Sequence, residues 1–180
     1  MSRKIYIVIS QTGTLLSRIL KAITGAKYNH ASISLDPSLQ TMYSFGRLNP
    51  YNPFIGGFVT ESLSHGTFKR FYKTEAIVLS IDVMDEKYAY LEQKFLSMCE
   101  NKKKYHYNYL GLFLAGVRIH YKKKRCYYCS EFVKEMLIRS NIRGAADISP
   151  IVKPIHFLSL PDTTQIYQGK LRDYGKADNN

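Results

Sequence analysis

The residues best suited to chemistry are Cys129 and His30, which lie about a hundred residues apart. Small and apolar residues recur at spacings of three and four from Cys129 onward, which predicts an amphipathic helix over 129–140. A thiol in the first turn meets the partial positive charge of a helix N-terminus, which favours the nucleophilic thiolate. The predicted apolar face holds Cys129, Phe132, Val133, Met136, Leu137 and Ser140, and the polar face holds Glu131, Lys134, Glu135 and Arg139.

His30 opens a segment in which polar and apolar residues alternate, and this alternation predicts a β-strand. Residues 36–38 (DPS) are typical of a turn, and residues 41–47 follow as a second predicted strand. In such a hairpin Ser44 comes near His30. A cysteine on an apolar helix face is often a buried hydrophobic residue, and a histidine at a strand end often has no catalytic role. The argument for chemistry therefore depends on the two residues together.

Two strings, residues 29–35 (NHASISL) and 128–133 (YCSEFV), resemble the histidine strand and the nucleophile helix of the NlpC/P60 cysteine hydrolases. Here the histidine precedes the cysteine, which is the order of the circularly permuted branch of that family. The resemblance extends over roughly residues 4–140. It implies an α+β, papain-like fold in which an antiparallel sheet packs against helices, and we expect one domain over 1–180.

The resemblance also implies a mechanism, in which Cys129 attacks an amide, peptide or ester carbonyl while His30 serves as general base and acid. Family members often carry Asn, His, Gln or Glu on the adjacent strand to orient the imidazole, whereas alignment places Ser44 there. Because a hydroxyl carries no charge, it stabilises an imidazolium less than a carboxylate does. The sequence therefore leaves two alternatives, a weak catalyst and a site that only binds. Candidates for binding the oxyanion are the Cys129 amide and the Gln11 side chain. We expect no cofactor and no metal.

The chain is strongly basic, with a formal net charge of +12, and the charge is concentrated between residues 101 and 125. This stretch can be a solvated face, or it can attract an anionic surface, polymer or nucleic acid. Because it brackets the apolar run 109–117, it also suits a membrane surface. The basic residues are Lys102, Lys103, Lys104, Arg118, Lys122, Lys123, Lys124 and Arg125.

Four other functions would use the same residues. Some permuted relatives are similar to lipid acyltransferases of the lecithin–retinol type, so a thiol-dependent acyltransferase or lipid-binding protein is the main alternative. A non-enzymatic nucleic-acid binder would combine the basic stretch with stacking tyrosines, although no recognised motif is present. Cys126 and Cys129 form a C-x-x-C motif. As a redox pair, this motif lacks the apolar strand that normally precedes it. As half of a zinc site, it would need Cys99 and His106 as further ligands, and their spacing is unusual.

Compartment and remaining elements follow from simpler patterns. The apolar run near the N-terminus is too short for a signal peptide, and the run 109–117 is too short to span a bilayer. An odd number of cysteines suits a reducing compartment, so a soluble cytoplasmic protein is expected. Further predicted elements are strands over 4–10, 67–72, 75–82 and 165–171, helices over 13–24 and 84–101, a long loop over 48–66, an ambiguous segment over 105–121 that could be a buried helix, and a polar tail over 175–180.

Overall fold

A computed structural model describes residues 2–11, 27–49 and 52–176, with the side chains of 52–54 excepted. The helix predicted over 13–24 and most of the polar tail lie outside the described residues. The strands are β1 (Ser2–Gln11), β2 (His30–Ser34), β3 (Met42–Asn49), β4 (Asn52–Glu61), β5 (Glu75–Met84), β6 (His106–Tyr107), β7 (Cys126–Tyr127) and β8 (Thr163–Lys170), and the helices are α1 (Gly66–Arg70), α2 (Asp85–Glu100), α3 (Tyr109–Gly116) and α4 (Cys129–Arg139).

The described strands form one sheet in the order β7-β6-β4-β3-β2-β1-β5-β8. All neighbours are antiparallel except β6 and β7. The long central strand β1 pairs with β2 on one side and with β5 on the other. A mixed α+β protein with a mostly antiparallel sheet is therefore confirmed.

The main core lies where α2 and α4 pack on one face of this sheet. Helix α2 packs against β1 and β5, and α4 packs against β2 and β3. Each large apolar side chain moved from water into this layer contributes about 1.5–3 kcal/mol before entropy is subtracted. The predicted apolar faces of both helices are confirmed, since Tyr88, Leu91, Phe95 and Met98 of α2 and Cys129, Phe132, Val133, Met136 and Leu137 of α4 are buried.

The prediction of a loop over 48–66 was wrong, because β4 occupies most of that segment. The glycines that suggested a loop mark close approaches between backbones instead. A Cβ on Gly56 would lie 2.7 Å from Cβ of Tyr107, and one on Gly57 would lie 2.8 Å from the carbonyl oxygen of Tyr105. Glycine therefore lets β6 pair closely with β4.

The prediction of a strand over 67–72 was wrong, because the short helix α1 covers most of those residues and buries Phe68. The segment 105–121, which the sequence leaves ambiguous, contains the helix α3. Helix α3 is only partly buried, since Tyr109 and Leu112 pack against the main core whereas Leu110 and Phe113 are exposed. Its eight residues are too few to cross a bilayer, and none of the described helices is long and apolar enough to do so.

Candidate active site

His30 and Cys129 meet because the elements that they open lie side by side. His30 is the first residue of β2, Cys129 is the first residue of α4, and α4 packs on β2. The Cys129 sulfur lies 3.8 Å from the carbonyl oxygen of Asn29, and the Cys129 side chain is close enough to His30 to help raise the pKa of the imidazole. Cys129 is 4% exposed, so the thiol and the imidazole meet in a largely dry environment.

Glu61, the last residue of β4, holds the other side of the imidazole. Both of its carboxylate oxygens lie 3.0 Å from Nε2 of His30. The hydroxyl of Ser32 donates to Oε2 of Glu61 at 2.6 Å. Nε2 is thus the ring nitrogen that faces the carboxylate, and His30 interacts with both the Cys129 side chain and Glu61.

The carboxylate reaches the imidazole across β3, which separates β2 from β4 in the sheet. Glu61 pairs with Met42, so it lies on the same face of the sheet as the alternate β3 residues Ser44 and Gly46. A Cβ on Gly46 would lie 4.0 Å from both Cε1 of His30 and Oε1 of Glu61. The small residues of β3 leave the space in which the two charged groups meet.

The charges of the pair set its protonation state. Burial by itself lowers the pKa of His30, but the Glu61 charge and the hydrogen bonds with Cys129 and Glu61 outweigh it and raise that pKa well above 6.5. Burial by itself raises the pKa of Glu61, but the His30 charge and the hydrogen bonds from His30 and Ser32 lower it below 4.5. An imidazolium–carboxylate pair is the form expected at neutral pH.

Ser44, the residue predicted to orient His30, is engaged elsewhere. Its buried hydroxyl donates to the carbonyl oxygen of Ala31 at 2.7 Å. The pairing of Ile33 with Tyr43, continued along β2 and β3, puts Ser44 opposite Ser32 and leaves Gly46 opposite His30. The place beside Nε2 belongs to Glu61, which lies in the segment mistaken for a loop.

Of the two oxyanion candidates, the Cys129 amide is well placed. It lies in the first turn of α4, where amides have no acceptor within the helix. Gln11 ends β1, pairs with Glu75 and lines a surface pocket with residues 70–75. In the described part of the chain its side chain makes no hydrogen bond to Cys129, so its role rests on the sequence argument alone.

A buried polar group behind the nucleophile was also missed by sequence analysis. Glu131, assigned to the polar face of the helix, is buried, and its Oε2 accepts from the backbone N–H of Tyr128 at 3.3 Å and from Nδ2 of Asn108 at 3.3 Å. Burial raises the pKa of Glu131 despite these bonds. Tyr107 is buried close by, and burial and then the neighbouring Cys129 raise its pKa well above 10. A glutamate three residues after a helix N-cap was the available signal for Glu131.

The comparisons with known proteins give no family. A search of protein-family profiles and a search of curated proteins each found no match to this chain. All three cysteines are free thiols, and Cys126 lies buried on β7. Among the described residues, no group of three or more His, Cys, Asp or Glu side chains could hold a metal ion.

Proposed function

We propose that this protein is a cysteine hydrolase that cleaves an amide, peptide or ester bond through Cys129, His30 and Glu61. The observation that carries the proposal is the His30 imidazole, whose pKa is raised by Glu61 and by the neighbouring Cys129 side chain and whose Nε2 lies 3.0 Å from both carboxylate oxygens of Glu61. A thiol, a base and a group that orients the base are the parts that nucleophilic catalysis by cysteine needs.

In this mechanism Cys129 attacks as the thiolate of a thiolate–imidazolium pair, so His30 already holds the proton when the sulfur forms a bond to the substrate carbonyl carbon. The carbonyl π electrons move to oxygen, where the Cys129 amide donates to the developing negative charge. When the carbonyl re-forms, the bond to the leaving nitrogen or oxygen breaks and His30 returns the proton to it. Water, deprotonated by His30, then cleaves the thioester and releases the acid.

Glu61 acts in this scheme by holding the imidazole and stabilising its protonated form. A carboxylate does so better than a hydroxyl, because it supplies a full charge in a site that water hardly enters. Glu61 thus takes the orienting role that the sequence resemblance gave to Ser44. A helix opened by cysteine packing on a strand opened by histidine also supports the proposed papain-like fold in permuted order.

Alkylation with iodoacetamide at neutral pH tests the proposal. Cys99 is more exposed than Cys129, so accessibility alone predicts that Cys99 reacts first. An activated pair predicts the reverse order, with selective modification of Cys129 and a marked loss of that selectivity in His30→Ala. Equal labelling of Cys129 in the wild type and in His30→Ala would contradict the proposal.

The substrate class requires a second experiment, a screen of electrophilic probes with acyl, peptidyl and lipid recognition groups, read by mass spectrometry at Cys129. A thiol-dependent acyltransferase is the second candidate, since the same thioester can pass to an amine or alcohol instead of water. One observation favours lipid-like substrates: an exposed apolar helix begins one residue after the buried Asn108 that bonds Glu131.

A further inference from the structure

Helix α3 presents apolar side chains to solvent to a degree unusual for a short helix. Phe113 is 70% exposed and Leu110 is 54% exposed, and of the large apolar residues just after the helix, Val117 and Ile119 are more than half exposed. Among the residues of α3 itself, Gly111 alone is buried. This surface, formed by α3 and residues 117–125, is called the α3 surface below. Contiguous apolar exposure of this kind indicates an interaction site.

The α3 surface is also the most basic part of the described chain. Residues 101–125 carry no Asp or Glu, and Lys123, Lys124 and Arg125 are exposed. Lys122 lies 3.7 Å from Glu135 and is partly neutralised by it. The three lysines of 102–104 form an exposed turn that precedes β6. Exposed apolar and exposed cationic residues therefore follow one another closely along the segment 101–125.

The α3 surface is attached to the nucleophile helix by hydrogen bonds. Asn108 is the N-cap of α3, and its Oδ1 accepts from the backbone N–H of Gly111 at 2.9 Å. Its Nδ2 donates both to the carbonyl oxygen of Tyr121 and to the buried carboxyl of Glu131. Because Glu131 lies in the first turn of α4, these bonds hold α3 close to the helix that carries Cys129. A ligand bound to α3 would therefore lie near that helix.

We propose that the α3 surface docks onto an anionic lipid bilayer and presents a lipid ester or amide to Cys129. Charge complementarity selects this occupant, because lysine and arginine are attracted to acidic headgroups while Leu110 and Phe113 enter the acyl boundary. Eight helical residues span about 12 Å, which suits a helix lying in the interface. The docking stands on the surface alone, whereas the lipid substrate rests on the proposed function.

Sedimentation with lipid vesicles tests the docking. The full chain should bind vesicles containing about 30% phosphatidylserine at low salt and bind neutral phosphatidylcholine vesicles at least tenfold more weakly, since several basic residues near an anionic surface are attracted to it together. Leu110→Ser should weaken binding roughly tenfold. Leu96→Ser is the matched control, because Leu96 is 59% exposed on α2, and it should bind like the wild type.

Charge is tested by Lys123→Glu/Lys124→Glu against Lys69→Glu/Lys73→Glu, which changes the net charge equally at exposed positions elsewhere. The first pair should abolish binding and the second should reduce it by less than threefold. Lack of binding to anionic vesicles overturns the proposal, as does equal loss in both pairs. Binding that soluble RNA removes and that Leu110→Ser leaves intact would assign the surface to nucleic acid instead.

Docking and catalysis can fail separately in this design. Cys129→Ala should bind vesicles like the wild type, and Leu110→Ser should keep the selective alkylation of Cys129 in solution. Suppose that the wild type binds phosphatidylserine vesicles, but that a lipid electrophile reacts with Cys129 no faster than a short-chain analogue does. This result would contradict the proposal of a lipid substrate, and the proposal of membrane docking would stand. If Cys129 is not alkylated selectively in the wild type, the proposal of a cysteine hydrolase is contradicted. The vesicle-binding result then decides the proposal of membrane docking by itself.

Discussion

At the scale of single residues, the site is defined by which group stands beside Nε2 of His30. Glu61 places two oxygens 3.0 Å from that nitrogen, and its carboxylate also accepts a hydrogen bond from the Ser32 hydroxyl. The side chains of His30 and Glu61 are 13% and 10% exposed, so water screens their attraction little. The charge of Glu61 is therefore the main support of the imidazolium.

Replacing Glu61 with Gln should slow the alkylation of Cys129 at pH 7 about tenfold or more, because the amide keeps the shape but loses the charge. Ser44→Ala is the comparison. It removes the hydrogen bond to Ala31, so it should cost about 1 kcal/mol in the free energy of unfolding and change the alkylation rate less than twofold. A larger effect on the rate in Ser44→Ala than in Glu61→Gln would return the orienting role to Ser44.

The same ion pair should make stability depend on pH. The raised pKa of His30 gives stability that is present in full below pH 6.5 and lost as pH rises through the folded-state pKa. The lowered pKa of Glu61 gives stability that is present above pH 4.5 and lost as pH falls through its folded-state pKa. Urea unfolding should therefore show the largest difference between wild type and Glu61→Gln between pH 4.5 and 6.5, and a shrinking difference in alkali. A difference that grows up to pH 10 would exclude a charged pair.

At the scale of elements, the site depends on how α3 is joined to α4. The joint is Asn108, whose buried side chain bonds Gly111, Tyr121 and Glu131. Gly111 is required there, because a Cβ at that position would collide with the Asn108 side chain. Helix α3 is consequently positioned both by this capping residue and by Tyr109 and Leu112, which pack partly buried against the main core.

Asn108→Ala should lower the free energy of unfolding by about 1–3 kcal/mol, because it removes one of the two donors to the buried Glu131 carboxyl and the side chain that caps the first turn of α3. Gly111→Ala should also destabilise, by collision. In the double variant the side chain with which the Cβ added by Gly111→Ala would collide is gone. The loss of unfolding free energy in the double variant should therefore be smaller than the sum of the losses in the two single variants. Additive losses, measured by urea unfolding of all four proteins, would show that Gly111 and Asn108 are not coupled.

At the scale of the whole molecule, the folded chain is what distinguishes Cys129 from the other thiols. His30 and Cys129 are brought together by the order of strands β2, β3 and β4 and by α4 packing across them. Each of the three cysteines is a free thiol. Local sequence gives Cys129 no special partner, since its nearest charged residues in the chain are basic ones before it and Glu131 after it.

Unfolding in urea should therefore remove the preference for Cys129. In the native protein iodoacetamide should modify Cys129 first, whereas in about 8 M urea Cys99, Cys126 and Cys129 should react at rates within about threefold of one another. Peptide mapping after short exposure measures both ratios. A preference for Cys129 that persists in urea would trace its reactivity to local sequence instead of to His30.

The sequence by itself determined the elements whose periodicity is strong and whose partners are predictable. Helix α4 with Cys129 at its start, helix α2, and the β2–β3 hairpin with His30 at its head all follow from spacing, because burial of one face imposes that spacing on any sequence. These patterns were sufficient to single out Cys129 and His30.

Tertiary structure decided the third group and the exposure of α3. Glu61 was invisible because the glycines of β4 suggest a loop when read alone, and only the approach of β6 shows why a strand needs them. Glu131 was placed on the polar face because helical spacing cannot show that Asn108 covers it. The sequence leaves the segment 105–121 ambiguous, because an apolar run carries no record of which of its side chains the fold leaves exposed. Contacts between segments far apart in the chain depend on the packing of the whole sheet, which local spacing does not encode.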